Sequence, residues 1–254
     1  MKRLFAAVAL LVLAVAALAQ ADITQRGNVR IGFDGQIAPD KLPREGSAAV
    51  KVSVSAKISS TKKDKSPPQL RQIAIAINRH GKLDSTGLPV CKVLDIQPAT
   101  TEKALAACRG SLIGEGKFSA EVALSRQAAF PSDGKMLAFN GTYEGKPAIL
   151  AHVYGEKPVP TSFTLPFVIT HSKGTFGTVL TAKLPPGDNN IVTGIELNLQ
   201  RSYTYRGKRR AYASAGCPAP KGVSRAFFPF AKASYAFVGG KKLSMTLTRS
   251  CKVR

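Results

Sequence analysis

The most regular stretch of the chain runs from Val50 to Ile58, where every even position is apolar and every odd position is Lys or Ser. A period of two is typical of a β-strand with one buried face and one solvent-exposed face. Similar alternation, interrupted by Gly and Pro, predicts further strands at 70–78, 117–124, 135–143, 147–154, 162–170, 177–184, 191–206, 209–214, 226–238 and 241–249.

These strands recur at short spacing, and the chain lacks the helix–strand alternation of parallel sheets. The pattern therefore predicts an all-β fold, either an antiparallel β-sandwich or a jelly-roll-like architecture. One short helix interrupts it. Thr100-Thr101-Glu102 before the apolar residues 104–107 predicts an N-capped helix near residues 101–109, between Cys91 and Cys108.

The N-terminal part of the chain differs from the rest in composition. Residues 22–45 are polar and are interrupted by three glycines and two prolines, so we expect an arm with at most one short strand near Val29–Phe33. Residues 46–254 predict a single large β-sandwich domain, since such domains commonly reach this length. The Pro158-Val159-Pro160 segment marks a candidate sub-boundary near 155–160.

Residues 1–21 have the pattern of a secretory signal peptide. Lys2 and Arg3 precede an apolar run from 4 to 18, and Ala19-Gln20-Ala21 is a small-x-small cleavage pattern. A retained membrane anchor is the alternative, but fifteen apolar residues are short for a hydrocarbon core of roughly 30 Å. We therefore expect a mature chain that begins at Asp22, has no transmembrane segment, and is secreted or lies in the cell envelope.

The chain is strongly basic, with 37 Lys and Arg against 15 Asp and Glu, and a formal net charge of +22. Loss of Lys2 and Arg3 with the signal would lower this charge by two, to +20. Such a surface attracts polyanions, and outside a cell these are anionic wall polymers, acidic polysaccharides, phospholipid headgroups and extracellular nucleic acid. The alternative interpretation of the charge is solubility with non-specific adhesion.

Four cysteines in an exported chain predict disulfide bonds, because thiols are oxidised outside the cytoplasm. Three pairings are open, and proximity in the sequence favours Cys91–Cys108 and Cys217–Cys251. Zinc sites need cysteine pairs at shorter spacing, so no metal is predicted. No cofactor is predicted either.

The last two strands allow a prediction of register. A three-residue loop Val238-Gly239-Gly240, with Gly240 in the left-handed conformation, sets Tyr235 opposite Leu243 and continues with apolar pairs along the hairpin. This register places Cys251 near Phe227, where a disulfide to Cys217 would close the end of the sheet.

The strongest candidate for ligand binding is a group of interleaved cations and tyrosines: Arg201, Tyr203, Tyr205, Arg206, Lys208, Arg209, Arg210 and Tyr212. Aromatic rings and cations together can stack on sugars or bases and hold phosphate or sulfate. A turn at Gly207-Lys208 would place Tyr203 opposite Tyr212 on a buried face, and Arg206 opposite Arg209 on the exposed face. Two like charges in direct opposition favour an anionic partner, and a solvated basic turn is the alternative. We expect Arg206, Lys208, Arg209 and Arg210 to make the strongest contact.

Catalytic motifs are absent from the sequence. His80, His152 and His171 stand at no metal-ligand spacing, and no carboxylate pair has a recognisable setting for glycoside hydrolysis. An exported hydrolase or carbohydrate-active enzyme, with a site assembled from these histidines and Glu144, is the alternative function. A structural module whose exposed strand edges pair with a partner is a third, and the oligomeric state is left open.

Four segments carry a resemblance to other proteins: Cys108-Arg109-Gly110-Ser111-Leu112, Gly174-Thr175-Phe176-Gly177-Thr178-Val179-Leu180, Ser214-Ala215-Gly216-Cys217-Pro218-Ala219-Pro220 and Leu247-Thr248-Arg249-Ser250-Cys251. With them the chain resembles a group of uncharacterised secreted proteins from high-GC soil actinobacteria. The resemblance covers most of the mature chain and implies export and the cell envelope, without an activity or site residues.

These patterns together predict a secreted or envelope-associated, non-enzymatic β protein that binds an anionic envelope or extracellular polymer through its basic surface. No sequence-specific nucleic acid binding is expected.

Overall fold

The computed structural model describes residues 21–63, 65–122, 129–156, 160–184 and 190–254. Residues 1–20 of the expected signal peptide, and residues 158–159 of the expected connector, lie outside these ranges. The described strands are β1 (Asp22–Arg26), β2 (Val29–Ala38), β3 (Lys41–Leu42), β4 (Ala48–Ala49), β5 (Lys51–Ser60), β6 (Leu70–Asn78), β7 (Gly81–Leu83), β8 (Leu112–Val122), β9 (Phe130–Tyr143), β10 (Lys146–Gly155), β11 (Thr161–His171), β12 (Phe176–Lys183), β13 (Asn190–Leu199), β14 (Ser202–Tyr205), β15 (Lys208–Ala211), β16 (Ala213–Ala215), β17 (Arg225–Phe237) and β18 (Lys242–Val253). The helices are α1 (Val93–Ile96) and α2 (Thr101–Cys108).

Thirteen strands form one large sheet in the order β1-β2-β5-β13-β8-β9-β10-β11-β12-β6-β17-β18-β3. Its pairs are antiparallel except β18 with β3, which is parallel. Two small sheets accompany it, the hairpin β14-β15 and the three-stranded β4-β16-β7. The all-β prediction and its antiparallel character are confirmed, and the architecture agrees broadly with a sandwich in the form of one large curled sheet.

The curl brings β18 against β1 and β2, at the opposite end of the strand order. The Arg249 guanidinium donates through Nε to the Gly35 carbonyl oxygen at 2.8 Å, and it also binds the Asp34 carboxylate. Arg26 donates to the carbonyl oxygen of Lys242 at 3.1 Å. Side chains therefore hold the two ends of the sheet together.

The main core lies on the inner face of the curled sheet. Side chains from both of its halves, such as Ile31, Ile73 and Leu247, are almost fully buried there. A second, smaller core lies on the outer face, where Ile96 and Ala104 of the helical segment cover Leu150 and its neighbours. Strands β9 and β10 are therefore apolar on both faces.

The helix prediction is confirmed by α2, whose N-cap residue Thr100 accepts a hydrogen bond from the Lys103 backbone N–H. Both predicted disulfides are present, with Cα–Cα distances of 5.6 Å for Cys91–Cys108 and 5.7 Å for Cys217–Cys251. The first joins the segment before α1 to the end of α2. The second joins the chain after β16 to β18.

The prediction of at most one short strand in residues 22–45 is wrong. This segment forms β1, β2 and β3, and Val29, Ile31 and Phe33 of β2 are buried. Gly35 is one of the three glycines that predict interruptions in this segment, but it lies inside β2, where a Cβ atom would approach the Phe230 ring to 2.7 Å. The glycine therefore permits close packing and does not end the strand.

The single long strand predicted for 191–206 is divided in the structure. The chain leaves the large sheet after Leu199, and the Gln200 N–H donates to the Ile113 carbonyl oxygen at 3.2 Å. It continues as the hairpin β14-β15 and then as β16, which pairs with β4 and β7. Alternation continues across the break, so the apolar pattern alone does not reveal it.

The register of the last hairpin is confirmed. Tyr235 pairs with Leu243 and Ala233 with Met245, and Gly240 has a φ of 76°. Cys251 pairs with Ala226, one residue from the expected Phe227, because the ladder is irregular between Pro229 and Ala231.

Candidate functional site

The basic hairpin β14-β15 turns at Arg206-Gly207, and not at Gly207-Lys208 as predicted. Arg206 and Gly207 have φ values of 49° and 71°. Two-residue turns of this kind need positive φ at both central positions, and glycine is favoured at the second. The structure thus places Gly207 where glycine is favoured, and the predicted turn would have placed Lys208 there.

This one-residue shift changes the neighbours of every cation in the hairpin. Tyr205 pairs with Lys208, Thr204 with Arg209, and Tyr203 with Arg210. Arg206 therefore does not oppose Arg209, and Tyr203 does not oppose Tyr212. The expected repulsion between two opposed arginines is absent.

One face of the hairpin is fastened to the segment between β7 and α1. The Tyr203 hydroxyl lies 3.1 Å from the Asp84 carbonyl oxygen and 3.0 Å from that of Thr86, and it can donate to either. The Arg210 guanidinium donates to the Asp84 carboxylate at 2.8 Å. Gly87 leaves room for the Tyr205 ring, since a Cβ atom there would lie 2.3 Å from it.

The ionisation of Asp84 agrees with this anchoring. Burial alone would raise the pKa of Asp84, but hydrogen bonds from Thr86 and Arg210, with the charge of Arg210, outweigh it and lower the pKa. Burial raises the pKa of the Tyr203 hydroxyl. At neutral pH the hairpin is therefore held by a charged carboxylate and a neutral phenol.

The tip of the hairpin, Arg206, Lys208 and Arg209, is exposed to solvent. Within the described residues, no carboxylate forms an ion pair with any of these three side chains. The guanidinium of Arg206 lies 5.2 Å from the centre of the Tyr205 ring, at cation–π distance. Arg210 differs from them, because Asp84 neutralises it.

Of the residues of the alternative catalytic site, His152 is remote from Glu144, whereas the β10–β11 register brings His171 to the same end of the sheet as Glu144. His152 is buried in the middle of β10, Glu144 lies in the turn between β9 and β10, and His171 is exposed at the end of β11. His152 lies six positions along β10 from Lys146, which is next to that turn, at a distance of about 20 Å. His80 follows β6, and burial lowers the pKa of its imidazole.

No metal centre emerges from the described part of the chain. The only described group of three Cys, His, Asp or Glu ligand atoms within 4.8 Å of one another is Cys91, Asp95 and Cys108. Its two sulfur atoms are bonded to each other in the first disulfide, so they are not available as thiolates.

An open groove of about 1030 Å³ lies on the outer face of the sheet beside the start of α2. Its lining carboxylates are Glu102, Glu115, Asp133, Glu156 and Glu196. Lys135 pairs with Glu115 at 3.5 Å, and Lys117 also lines the groove. This groove could not be predicted from the sequence, because its acidic residues come from five separate segments that only the curled sheet brings together.

Two apolar cavities lie among the described residues in the interior of the curled sheet. The first has a volume of about 90 Å³ and is lined mainly by aliphatic residues of the large sheet and of the small sheet β4-β16-β7. The second has a volume of about 200 Å³ and is lined by residues such as Phe118, Phe163 and Leu165, with Asp133 at its boundary. Neither was predicted from the sequence.

No protein-family model, curated protein or solved structure matches this chain. The functional interpretation therefore depends on the residues themselves. Within the described part, no helix is both long and apolar enough to cross a lipid bilayer.

Proposed function

We propose that this protein is a secreted or envelope-associated, non-enzymatic β protein that binds anionic polymers through its basic surface, with the hairpin tip as the strongest contact. The observation that carries the proposal is the exposure of Arg206, Lys208 and Arg209 on one tip without a carboxylate partner among the described residues. Arg210, which was expected to join them, instead anchors the hairpin through Asp84.

The anchoring favours binding because it reduces the entropy that the tip loses on contact. Tyr203 and Arg210 hold the hairpin from below, and Tyr205 provides a ring beside Arg206. A group that is already ordered loses less freedom on binding than a flexible loop. Exposed guanidinium and ammonium groups can then pair with phosphate, sulfate or carboxylate groups spaced along a polymer.

The net charge of +22 supports a polymeric partner over a small anion. Each polymer charge that a Lys or Arg neutralises releases a condensed counterion, so affinity falls steeply with salt. Recognition of this kind depends on charge density and not on sequence. We therefore propose an anionic envelope or extracellular polymer as the partner, and no sequence-specific nucleic acid.

The proposed location outside the cytoplasm is supported by two features. The first is the signal-like sequence of residues 1–21, which lies almost wholly outside the described residues. The second is the pair of disulfides, which is compatible with an oxidising compartment. Membership of the secreted actinobacterial group stays a prediction from the four segments quoted above.

Retention on immobilised heparin, a sulfated polysaccharide, tests the proposal. We expect elution by salt, with an Arg206→Ala/Lys208→Ala/Arg209→Ala variant eluting at clearly lower salt than the wild type. The matched control is Lys62→Ala/Lys63→Ala/Lys65→Ala, which removes the same charge from another exposed segment. Retention that does not respond to salt contradicts polyanion binding, and equal losses in the two triple variants contradict the role of the tip.

No comparable observation supports the alternative function, an exported hydrolase. His152 lies about 20 Å along β10 from the turn that holds Glu144, and the histidines form no ligand group of three with other described residues. Pairing of exposed strand edges with a partner also stays a hypothesis.

A further inference from the structure

The helical segment forms a flap over the outer face of the sheet, and the base of this flap is fixed. The flap comprises residues 91–108 and contains α1 and α2. The Cys91–Cys108 disulfide closes its base, and the Cys91 N–H donates to the Asn140 carbonyl oxygen of β9 at 2.9 Å. Beneath the flap lie apolar side chains of β9 and β10 that are at most 2% exposed: Leu137, Phe139, Ala148 and Leu150.

The turn of the flap, residues 97–100 between α1 and α2, is attached to β11 by hydrogen bonds. The Thr164 N–H donates to the side-chain oxygen of Gln97 at 2.8 Å, and the Ala99 N–H donates to the Ser162 hydroxyl at 3.2 Å. Neutral hydrogen bonds of this kind contribute little net stability, because water replaces them when they break. The turn can therefore leave the sheet while the base stays closed.

His152 lies on the face of the sheet that the flap covers. In β10, Ile149 belongs to the main core inside the sheet, whereas Leu150 belongs to the smaller outer core, and His152 has the same strand parity as Leu150. The strand register sets His152 in one cross-strand row between Leu137 of β9 and Thr164 of β11. Leu137 packs under the flap and Thr164 is bound to its turn. The imidazole is therefore enclosed where the turn meets the sheet.

The polar side chains of this row are shut off from water without partners. His152 is 0% exposed, and neither of its ring nitrogens has a hydrogen-bond partner among the described residues. The hydroxyl oxygen of Thr164 beside it is likewise buried and unpaired within the described part of the chain. Polar groups buried in this way lose the hydrogen bonds that they would make to water. Closure of the turn is therefore opposed at this row even at neutral pH.

No charge next to the row is placed to stabilise an imidazolium. Lys135 of β9 and Tyr154 of β10 pair with each other one row further along, and Glu102 of the flap lines the open groove with them. Glu115 of β8 is paired with Lys135, and β11 contributes no charged side chain to these rows. Burial lowers the pKa of His152, and none of these charges offsets it. The other charged side chains of the flap are exposed to solvent: Lys92, Asp95 and Lys103.

From this arrangement we infer that the flap is an acid-released lid, in which protonation of His152 opens the turn at residues 97–100 while the disulfide keeps the base in place. A charged imidazole without a counter-ion is far less stable in an apolar site than in water. Opening hydrates it and uncovers the apolar outer face of β9 and β10, including Leu137 and Leu150. The inference does not depend on polyanion binding at the hairpin tip.

The direction of the pH effect follows from the two states of His152. In the open state the imidazole is hydrated and titrates near its ordinary pKa of 6.5, whereas burial lowers the pKa in the closed state. Below pH 6.5 the open state therefore binds a proton that the closed state does not. Each pH unit should raise the open-to-closed ratio by up to tenfold, until the closed imidazole also binds a proton.

Native-state hydrogen exchange tests the inference through the amides of Ala99 and Thr164, which the hydrogen bonds of the turn protect. We expect their opening constants, corrected for intrinsic exchange rates, to rise by up to tenfold for each pH unit below 6.5. The same titration acts on global unfolding, so urea separates the two events. Opening of the turn exposes little surface and should respond weakly to urea, whereas amides of β17 should exchange through global unfolding and respond strongly. Equal urea dependence of both sets, or turn amides that do not respond to pH, would overturn the inference.

Two kinds of variant separate the proton from the contact. His152→Leu, with His152→Gln as a second choice if leucine prevents folding, should abolish the pH dependence of Ala99 and Thr164 exchange. His171→Leu, at an exposed histidine, should keep it. Gln97→Ala should raise the opening constant measured at Ala99 about fivefold at pH 7 and at pH 5 alike, because it removes a neutral hydrogen bond. A pH dependence that survives in a folded His152 variant contradicts the role of the imidazole, and an unchanged opening constant in Gln97→Ala contradicts the role of the turn.

Discussion

Arg210 donates a hydrogen bond of 2.8 Å to the carboxylate of Asp84, and this ion pair fastens the basic hairpin to the rest of the protein. Both side chains are partly exposed, at 33% and 38%. Solvent screens such pairs, so their contribution to stability is small compared with that of a buried pair. The pair explains why one of four clustered cations is not available to a ligand.

A double-mutant cycle measures this pair. With Asp84→Asn, Arg210→Met and the double variant, we expect a coupling free energy of about 0.5 kcal/mol at pH 7. The folded pKa of Asp84 is lowered from 3.8, so the contribution is present above that value and is lost as pH falls through the folded pKa. Urea unfolding at pH 7 and in acid checks both points. A coupling that persists in strong acid contradicts the ionic origin.

The buried imidazole of His152 leads us to expect a second dependence of stability on pH. It is fully buried in β10, its two ring nitrogens have no hydrogen-bond partner among the described residues, and burial lowers its pKa from 6.5. Below pH 6.5 the unfolded state therefore binds a proton that the folded state does not, and stability falls until the folded pKa is reached. The slope is at most about 1.4 kcal/mol per pH unit.

His152→Leu should flatten the stability of the protein between pH 6.5 and pH 5, measured as the free energy of unfolding in urea. His171→Leu is the control, because His171 is exposed at the end of β11. If the slope survives in His152→Leu, another group causes it.

The two disulfides should differ in their effect on stability. Cys217–Cys251 spans 34 residues and Cys91–Cys108 spans 17. The loop-entropy relation gives about 3.8 kcal/mol for the first and about 3.1 kcal/mol for the second. We expect the Cys217→Ala/Cys251→Ala variant to unfold at lower urea than the Cys91→Ala/Cys108→Ala variant. The opposite order would show that local packing around α2 outweighs chain entropy.

A substitution at Gly87 tests how closely the hairpin packs against the segment between β7 and α1. Its φ is +85°, and a Cβ atom would lie 2.3 Å from the Tyr205 ring. Gly87→Ala should destabilise the protein by about 1–3 kcal/mol beyond the backbone effect alone, and it should lower the salt needed for elution from heparin. Gly222→Ala, at a φ of +81° with open space around it, measures the backbone effect. If Gly87→Ala and Gly222→Ala lose the same stability in thermal unfolding, the Tyr205 ring moves freely away from the added methyl group.

Local sequence patterns predict the structure correctly where residues close together in the sequence determine it. The last hairpin was correct because Gly239-Gly240 and the alternating apolar residues agree on one register. The predicted position of the turn in the basic hairpin is wrong by one residue, because Gly207 has neighbours on both sides that allow a turn. Gly35 is not a break as predicted, because a glycine is needed there to make room for the Phe230 ring, which is distant in the sequence.

The cavities and the acidic groove could not be predicted, since they depend on how far the sheet curls. Val54 and Ile75 line the same cavity but belong to β5 and β6, which are separated by six other strands in the order of the sheet. Alternation shows that each side chain faces inward. It does not show whether the space between them is filled.

The junction of β18 with β1 and β2 has a mechanical consequence. These strands are not neighbours in the hydrogen-bonded order, and Arg249 reaches across to Asp34 and Gly35 with its side chain. Separating β1 and β2 from β18 would therefore break mainly side-chain contacts, except next to β3, which follows β2 in the chain and is paired with β18. The curled sheet has a seam, and under load or thermal motion it would widen there before any pair of strands came apart.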